Sequence, residues 1–446
     1  MPAKPFLPVT GEGTRVPLVS GGEVVYANLD YAASAPALLA VREHIDEVLP
    51  YYASVHRGAG YLSQVSTSLY ESARNAVRRH LGARDDDLVI FTRNSTDALN
   101  LLARSVRGAV LILDIEHHAN LLPWRGGEHR VLLASSSLAA TVASVATALQ
   151  QRSFALLAVT GASNVTGEVL PLSELAELAH RNGARLAVDG AQLVPHRRVD
   201  LTATGVDYLV FSGHKVYAPY GSGALVGRRD WLDGADPYLL GGGAVRNVTI
   251  EHAEYTDGEA RHEAGSPNVI GAAAIARALD VLGGADDAAR LDHERHLVDR
   301  LRTGLEALPG VRTLRIWPDS GETVGVVSFA VAGHDSGLVA AYLSAEHGVG
   351  VRDGRFCAHP LLASLGVPEG ALRASVGVGS TEDDVDRLIA GLRTLVESGP
   401  SWTYDIEEGR WVPRDDPREF PAWAPRLPGT AGAAPCAIPA FELLGP

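Results

Sequence analysis

The stretch Phe211-Ser212-Gly213-His214-Lys215 is the most informative part of the sequence, because it places a lysine directly after a run of apolar residues, Tyr208–Phe211. Lysine occurs only twice in the 446 residues, at Lys4 and Lys215, although the chain has 39 basic side chains. Arginine therefore supplies nearly every positive charge. A lysine is needed where the side chain must lose its proton and act as an amine nucleophile, which arginine cannot do. The alternative is that Lys215 is a leftover surface lysine, and its surroundings must decide between the two.

The composition is that of an ordinary globular protein, with 46% apolar and 21% charged residues. The net charge of −14 disfavours binding to nucleic acid or to an anionic membrane, and no apolar run is long enough to span a bilayer. Cys357 and Cys436 are too few for a disulfide framework and lack the spacing of zinc ligands. Residues 1–10 lack the apolar region of a secretory signal. We therefore expect a cytoplasmic protein with no membrane partner, no nucleic-acid partner and no metal.

Short apolar runs alternate with segments of helical periodicity in the first half of the chain. This alternation predicts an α/β fold with a mainly parallel sheet that is covered on both faces. The predicted strands are Leu88–Phe91, Ala109–Leu113, Ala155–Val159, Arg185–Val188 and Tyr208–Phe211, and the predicted helices are Leu69–Leu81, Ala98–Val106 and Leu172–Arg181.

The pattern changes after the glycine run Gly241-Gly242-Gly243. We predict four regions: an N-terminal tail (1–25), a large domain (26–264) whose N-terminal segment is shared with the small domain, a small C-terminal α+β domain (265–398), and an extension rich in Pro, Trp and Gly (399–446). Three tryptophans in the extension indicate that part of it packs on the body. The elements predicted for the small domain are the helices Val269–Leu282, Leu291–Leu308, Gly337–Glu346 and Asp383–Val396 and the strands Gly325–Val331 and Leu372–Val378.

Polar residues follow every predicted strand of the parallel sheet, and ligands of open parallel sheets bind beyond the carboxyl ends of the strands. The first strand leads to the hydroxyl-rich turn Thr92–Asp97, which opens a helix. Free backbone N–H groups and the helix dipole favour an anion there, although Ser95 or Thr96 could simply cap the helix. The second strand leads to Glu116-His117-His118-Ala119-Asn120. These histidines could stack on a planar ligand, bind a metal or face solvent.

The next three strand ends supply an amide, a carboxylate and an amine. Asn164 could donate a hydrogen bond to a ligand oxygen, or it could be a turn asparagine. Asp189 ends an apolar strand, where an unpaired carboxylate is costly and a protonated pyridine nitrogen would be a suitable partner. Gln192 could reach a ring oxygen. The last strand end adds Ser212, His214 and Lys215. Together the five strand ends match the needs of pyridoxal phosphate: a phosphate cradle, a ring stack, a donor to the phenolic oxygen, a pyridinium partner and a Schiff-base amine.

Two of these stretches, Asp189–Gln192 and Ser212–Lys215, resemble those of class V aminotransferase-fold enzymes, most closely the cysteine desulfurase and selenocysteine lyase subgroup. The resemblance runs from about Tyr26 to Val396. It implies the fold type I of pyridoxal-phosphate-dependent transferases, in a homodimer that acts on a small amino acid. The supporting stretches are Val55–Gly58, Phe91–Arg93, Glu116–Asn120, Pro123-Trp124, Gly241–Gly243, Glu263–Asn268 and Arg373–Ser375.

The resemblance also implies a role for each candidate residue. Lys215 would form the Schiff base, His117 would stack on the pyridine ring and Asp189 would pair with its nitrogen, while Gln192 would contact the phenolic oxygen. Asn164 and Arg373 would bind the substrate carboxylate, with His56 nearby. The phosphate would be held by Ser95, Thr96, Ser212 and His214, and by Ser266 of the partner subunit.

Cys357, in the stretch Val351–Pro360, aligns with the cysteine that takes up sulfur in the desulfurases. A thiolate on a reachable loop would attack the sulfur of the substrate and form an enzyme persulfide, and Arg352 and Arg355 could lower the pKa of this thiol. The alternative is a small buried residue, which is common for cysteine. A persulfide would in turn need an acceptor for its sulfur, and a sulfur-acceptor protein could fill this role.

The substrate side departs from the family pattern. The desulfurase loop usually reads Arg-Thr-Gly-His-His before the cysteine, whereas Asp353, Arg355 and Phe356 interrupt it here; Val378–Thr381 replaces the usual Tyr-Asn-Thr, and Asn94 stands where glycine is typical. We expect conversion of L-cysteine to L-alanine through a Cys357 persulfide. The alternative is an aminotransferase, epimerase or C–S lyase of the same fold that uses no persulfide. A binding protein that retains only the fold is a third hypothesis.

Overall fold

The structure, a computed structural model, describes residues 4–424. Its helices, in chain order, are α1 Leu39–Val48, α2 Tyr61–His80, α3 Ser95–Ser105, α4 His118–Leu121, α5 Leu138–Gln151, α6 Leu172–Arg181, α7 Leu201–Thr204, α8 Arg229–Asp233, α9 Val269–Gly284, α10 Asp287–Glu306, α11 Ser336–His347, α12 His359–Ser364 and α13 Glu382–Ser398.

The strands are more numerous than the helices and shorter. In chain order they are β1 Arg15–Pro17, β2 Glu23–Val25, β3 Ala27–Asn28, β4 Leu88–Thr92, β5 Val110–Leu113, β6 His129–Leu132, β7 Leu156–Thr160, β8 Arg185–Asp189, β9 Tyr208–Ser212, β10 Gly223–Gly227, β11 Val245–Val248, β12 Ala253–Tyr255, β13 Val311–Thr313, β14 Val326–Val331, β15 Val349–Gly350, β16 Arg352–Gly354, β17 Ala371–Ser375, β18 Tyr404–Glu407 and β19 Arg410–Pro413.

The central sheet has seven strands in the order β4-β10-β9-β8-β7-β5-β6. Strands β5 to β9 are mutually parallel, and β10 runs antiparallel to both of its neighbours, β4 and β9. The five strands predicted from apolar runs are all present within one residue of their predicted ends. The predicted α/β fold with a mainly parallel sheet is confirmed. Strands β6 and β10 were not predicted.

Both faces of the central sheet are buried. In β7, Leu157 and Val159 belong to the core on one face, whereas Leu156 and Ala158 belong to the core on the other face. Successive side chains of a strand point to opposite faces, so a strand that is covered twice must be apolar throughout. This explains why the strands are continuous apolar runs instead of alternating patterns.

A second sheet, β13-β14-β17-β16, is antiparallel throughout and has its own core. Helices α10, α11 and α13 cover it, and the N-terminal residues Val19, Ala27 and Leu29 are part of the same core. Strand β3 pairs in parallel with β15. The chain therefore contributes Val9 to the core of the central sheet, then passes through the second core, and returns to the first core at Tyr31.

Helix α9 lies within the predicted small domain, but its buried residues pack elsewhere. Ala273, Ile275 and Leu279 belong to the core of the central sheet. We therefore propose a domain boundary after Gly284, instead of at residue 265.

The beginning of the C-terminal extension forms a hairpin, β18 and β19, that packs on α11. The Glu346 carboxylate accepts hydrogen bonds from the Trp402 backbone N–H at 3.1 Å and from the Tyr404 hydroxyl at 2.9 Å. Trp402 and Trp411 pack against the second core, whereas Trp423 is largely exposed.

Candidate active site

Five polar strand ends meet at one edge of the central sheet. Register places Gly223 of β10 opposite both Thr92 of β4 and Ser212 of β9, while Asp189 of β8 lies beside Thr160 of β7. A Cβ atom at position 223 would lie 2.8 Å from Cα of Asn94 and 2.7 Å from the carbonyl oxygen of Phe211. Glycine is therefore required there so that the turn after β4 can approach the end of β9.

Lys215 lies at the centre of the charged groups at this edge. Burial lowers the pKa of its amine to about 8, and Arg373 adds to this shift, whereas the carboxylates of Asp189 and Asp30 and the Cys357 thiol oppose it. An arginine in β17 of the second sheet and a cysteine on the loop after β16 thus act on a lysine that follows the first sheet. An amine with a lowered pKa is a nucleophile near neutral pH.

Asp189 is buried at the end of β8. Its Oδ1 atom accepts a hydrogen bond from the Ala191 N–H at 3.0 Å. Burial raises the pKa of this carboxyl group, and the backbone hydrogen bond and Lys215 both counteract the increase. A cation placed against Asp189 would be stabilised by a negative charge that water does not screen. Gln192 is also buried, and its side-chain amide donates to the Ala32 carbonyl at 2.7 Å.

His117 caps helix α4 in an orientation that determines its tautomer. Its Nδ1 atom accepts a hydrogen bond from the Ala119 N–H at 3.0 Å. Burial lowers the pKa of the imidazole to about 3, with further contributions from Lys215, His118 and Arg373. The ring is therefore neutral at pH 7 and carries its proton on Nε2. A neutral flat ring with a fixed orientation is suited to stacking on an aromatic ligand.

The turn after β4 presents the first residues of α3 beside the end of β9. The Ser212 hydroxyl oxygen accepts from the Ser95 N–H at 2.8 Å and donates to the Ser95 hydroxyl at 3.0 Å. Asn94 caps the helix through the Asp97 N–H at 2.9 Å, so Ser95 and Thr96 are the first helical residues instead of caps. Thr96 is exposed. His214, whose pKa is lowered to about 4 by burial and by Lys215, follows directly.

Asn164 and Arg373 are buried together and linked. The Arg373 Nη1 atom donates to the Asn164 carbonyl oxygen at 2.8 Å, and its Nη2 atom donates to Oδ1 of Asp30 at 3.1 Å. The Arg373 Nε atom is buried without a hydrogen-bond partner among residues 4–424. An unsatisfied buried donor on a charged group is costly, and a carboxylate is the group that a guanidinium binds best.

Cys357 is half-buried on the loop between β16 and α12. Phe356 and Cys357 both adopt left-handed backbone conformations, with φ of 52° at each. Such conformations cost on the order of 1–3 kcal/mol per residue and persist where surrounding contacts enforce them. The loop has these contacts, since the Phe356 carbonyl accepts from the Asn164 amide and the Cys357 carbonyl accepts from the His118 N–H, both at 2.8 Å.

Two predicted residues lie apart from this group within a single chain. His56 has its Nε2 atom 3.1 Å from Oε1 of Glu71 on α2. Ser266 is exposed and lines a cleft with Arg93, Asn268 and other residues near the turn after β4. The role of Ser266 in the site of a second subunit and the place of His56 near the substrate carboxylate remain predictions. Cys436 lies outside the described residues.

The structure adds residues that the sequence analysis did not select. Asp30, which pairs with Arg373, and Glu116, which is fully buried beside Asp189, had no local signal apart from being carboxylates near apolar segments. His359 contacts His118 edge to face, with ring centroids 4.5 Å apart. Residues 4–424 contain no group of three or more side chains arranged to hold a metal ion. In the same range, no helix is long and apolar enough to cross a membrane.

Comparison with known proteins identifies the family. The family model described as class V aminotransferase matches residues 27–388. The chain belongs to the class V aminotransferase family. The match includes every candidate residue at the sheet edge and ends before the C-terminal hairpin. The resemblance seen in the sequence is thereby confirmed, and with it the assignment to a family of pyridoxal-phosphate-dependent enzymes.

Individual members of the family give closer comparisons. A cysteine desulfurase of Dickeya dadantii strain 3937 is 38% identical over 393 residues, which cover 84% of this chain and 93% of the relative. Among solved structures, the apo cysteine desulfurase from Thermococcus onnurineus NA1 has a TM-score of 0.77 at 31% identity, over 83% of this chain and 95% of its own. The cysteine desulfurase CsdA of Escherichia coli has a TM-score of 0.75 at 32% identity, with the same coverage.

Proposed function

We propose that this class V enzyme is a cysteine desulfurase, which converts L-cysteine to L-alanine with Lys215 as the cofactor-binding lysine. The observation that carries the proposal is the convergence of Lys215, Asp189, Arg373 and Cys357 at one sheet edge. An amine, a buried carboxylate, a carboxylate-binding group and a thiol are the four functions that this reaction requires. The names of the relatives support the same substrate.

The residues at the sheet edge fit pyridoxal phosphate. The Lys215 amine would join the aldehyde, the Asp189 carboxylate would pair with a pyridinium nitrogen, and the neutral His117 ring would cover a face. The phosphate would lie at the first turn of α3, near Ser95, Thr96, Ser212 and His214. When bound, the cofactor would supply an electron sink for cleavage of bonds at the substrate's α-carbon.

The chain's own residues would then divide the work. Arg373, through its unpartnered Nε atom, and Asn164 would hold the substrate carboxylate. The Lys215 amine would take the proton from the α-carbon, since burial keeps its pKa near neutrality. The Cys357 thiolate would attack the substrate sulfur: an S–S bond forms, the Cβ–S bond breaks, and the carbon keeps the electron pair and takes a proton to give alanine.

We propose that the enzyme is a homodimer. Large apolar side chains are exposed near the end of α1 and the start of α2, among them Leu49, Tyr51, Tyr52 and Tyr61. A second exposed group includes Leu240 and Ile250, the latter fully exposed. Exposed groups of this kind are typical of protein interfaces. A second subunit would cover them and bring Ser266 and His56 towards a neighbouring site.

The persulfide would pass its sulfur to a reductant or to a sulfur-acceptor protein, which suits a reducing cytoplasm. The experiment is to add L-cysteine to the protein under reductant and to measure alanine and sulfide. Cys357→Ser should lose sulfide production while the substrate still changes the cofactor spectrum, and Lys215→Ala should lose both. Cys436→Ser, which removes the other cysteine, should retain full activity.

If Cys357→Ser consumes the substrate at the wild-type rate, the persulfide is excluded, and transamination, epimerisation or C–S lysis is favoured. The altered loop, with Phe356 buried beside Arg373, motivates this second candidate. The products separate the two: a keto acid or an inverted substrate in place of alanine.

A further inference from the structure

Phe356, the residue before Cys357, contacts both residues expected to bind the substrate carboxylate. Its backbone carbonyl accepts a hydrogen bond from the Asn164 amide at 2.8 Å. Its ring lies under the guanidinium of Arg373, with Cζ 5.2 Å from the ring centroid. Phe356 is 4% exposed and keeps a left-handed backbone conformation. The residue with the left-handed backbone is thus also the one whose ring packs against Arg373.

The contacts of Arg373 leave one edge of the guanidinium available. Nη1 and Nη2 donate to Asn164 and Asp30, while Nε is buried without a partner in the part of the chain that the structure describes. A carboxylate must approach this edge in the plane of the guanidinium. The Phe356 ring covers one face of the group, so it restricts the tilt of that plane. A desolvated arginine over an aromatic face is stabilised more strongly than an exposed one.

We propose that Phe356 is a positioning residue that holds Arg373 in the plane that receives the substrate carboxylate. The inference rests on the proposed function, which gives Arg373 this role, and it makes Phe356 a determinant of specificity for substrates with a free carboxylate. Phe356 also belongs to the core of the central sheet. A purely packing role is the competing explanation, and the test must separate the two.

The test compares two ligands that differ in the carboxylate, L-alanine and L-alaninamide, on the protein loaded with pyridoxal phosphate. Each is titrated while the cofactor absorbance is followed, which gives a dissociation constant without turnover. The ratio of the two constants measures recognition of the carboxylate. In Phe356→Leu, which keeps apolar bulk without the aromatic face, we expect this ratio to fall about tenfold, because a desolvated cation–π contact is lost. Phe356→Tyr should keep the ratio within about twofold.

Phe154 offers a matched control. It is also buried and carries an arginine, Arg152, over its ring at 5.5 Å, but it belongs to the segment between α5 and β7. Phe154→Leu should leave the ratio unchanged. If Phe356→Leu weakens both ligands equally, or if Phe356→Tyr loses the ratio as well, the proposal is wrong and Phe356 serves packing alone.

Two further outcomes are separable. If Phe356→Leu does not fold, as judged by circular dichroism, Phe356→Met is measured in its place, and we expect the same fall in the ratio of the two constants. If the wild-type protein shows no cofactor absorbance, the proposed function fails. A wild-type protein that binds L-alanine but releases no sulfide from L-cysteine contradicts the desulfurase reaction and leaves the role of Phe356 testable by the same titrations.

Discussion

The environment of Lys215 prepares an amine for reaction before any ligand binds. Burial and Arg373 lower its pKa to about 8, from 10.5 for a free lysine side chain. The amine is reactive only when it is unprotonated. Its reactivity therefore depends on pH over a range in which an exposed lysine would be fully protonated.

The rate at which cofactor-free protein forms a Schiff base with added pyridoxal phosphate should reflect this pKa. We expect the rate to rise about tenfold per pH unit below pH 8 and to level off above it. Stopped-flow absorbance between pH 6 and 10 measures the profile, with Lys215→Arg as the control that should show no reaction at the site. A profile that keeps rising to pH 10 would show that Lys215 is not desolvated.

Glu116 is a second titrating side chain, fully buried beside Asp189. Burial raises the pKa of its carboxyl group to about 8, and the Asn120 amide donates to Oε2 at 2.7 Å. Because the folded-state pKa lies above the unfolded value of 4.5, the stability that Glu116 contributes is complete below pH 4.5 and is lost as the pH rises through 8.

Glu116→Gln, which cannot ionise, should therefore gain stability relative to the wild type as the pH increases. We expect the difference in free energy of unfolding to change by about 2–4 kcal/mol between pH 5 and pH 8.5. Urea unfolding at the two pH values, with excess pyridoxal phosphate, measures it. Glu397→Gln, at an exposed site in the last turn of α13, should show no such change. Equal pH dependence in wild type and Glu116→Gln would contradict the raised pKa.

Among the helices and strands, the sequence was most informative where one physical requirement dominated. Apolar runs located β4, β5, β7, β8 and β9, because strands buried on both faces must be apolar throughout. The same reasoning missed β10, Gly223–Gly227, where two glycines make close approaches to neighbouring backbone. Helix α2 begins at Tyr61, eight residues before its predicted start, because its first turns are polar and expose Tyr61 and Leu62.

The candidate site was also predictable only in part, because only some of its residues lie at strand ends. The residues at strand ends, such as Asp189 and Lys215, follow from the rule that parallel strands present their carboxyl ends together. Asp30 and Phe356 could not be found this way, since their importance depends on contacts with Arg373 across more than one part of the chain. Long-range pairing of that kind leaves no periodic signal in a single sequence.

Helix α3 provides an internal comparison for the proposed role of its first turn in binding the cofactor phosphate. Ser95 begins the helix beside Ser212, while Ser105 ends it, buried, with its hydroxyl donating to the Leu101 carbonyl at 3.1 Å. Ser95→Ala should raise the dissociation constant for pyridoxal phosphate by about 10- to 100-fold, since hydrogen bonds to charged groups contribute about 1.5–3 kcal/mol. Ser105→Ala loses one hydrogen bond as well but should bind the cofactor normally.

Equilibrium dialysis or fluorescence titration of the two variants measures these constants, and thermal unfolding checks that both remain folded. Equal affinities in Ser95→Ala and wild type would place the phosphate elsewhere.

For the complete chain, the proposed homodimer makes a prediction that a mixture of variants can test. If Ser266 of the partner subunit contributes to each site, a mixed dimer of Lys215→Ala with Ser266→Ala contains one site with both changes and one site with neither. When the two variants are refolded together, each mixed dimer should therefore have about one cofactor site with wild-type affinity, instead of two. If Ser266 acts within its own chain, no site in the mixture will have normal affinity.

The antiparallel strand β10 has a consequence for how the protein is made. Strand β4 is the first strand of the central sheet to leave the ribosome, yet its neighbour in that sheet is β10, which is synthesised only after β5 to β9. Until then β4 is an unpaired apolar edge, and such edges are prone to aggregation during folding. Strand β10 also pairs with β9, so it brings the turn after β4 beside the end of β9, which Lys215 follows. We therefore expect that a nascent chain arrested before Gly227 cannot bind the cofactor, and that the protein relies on chaperones during this interval of its synthesis.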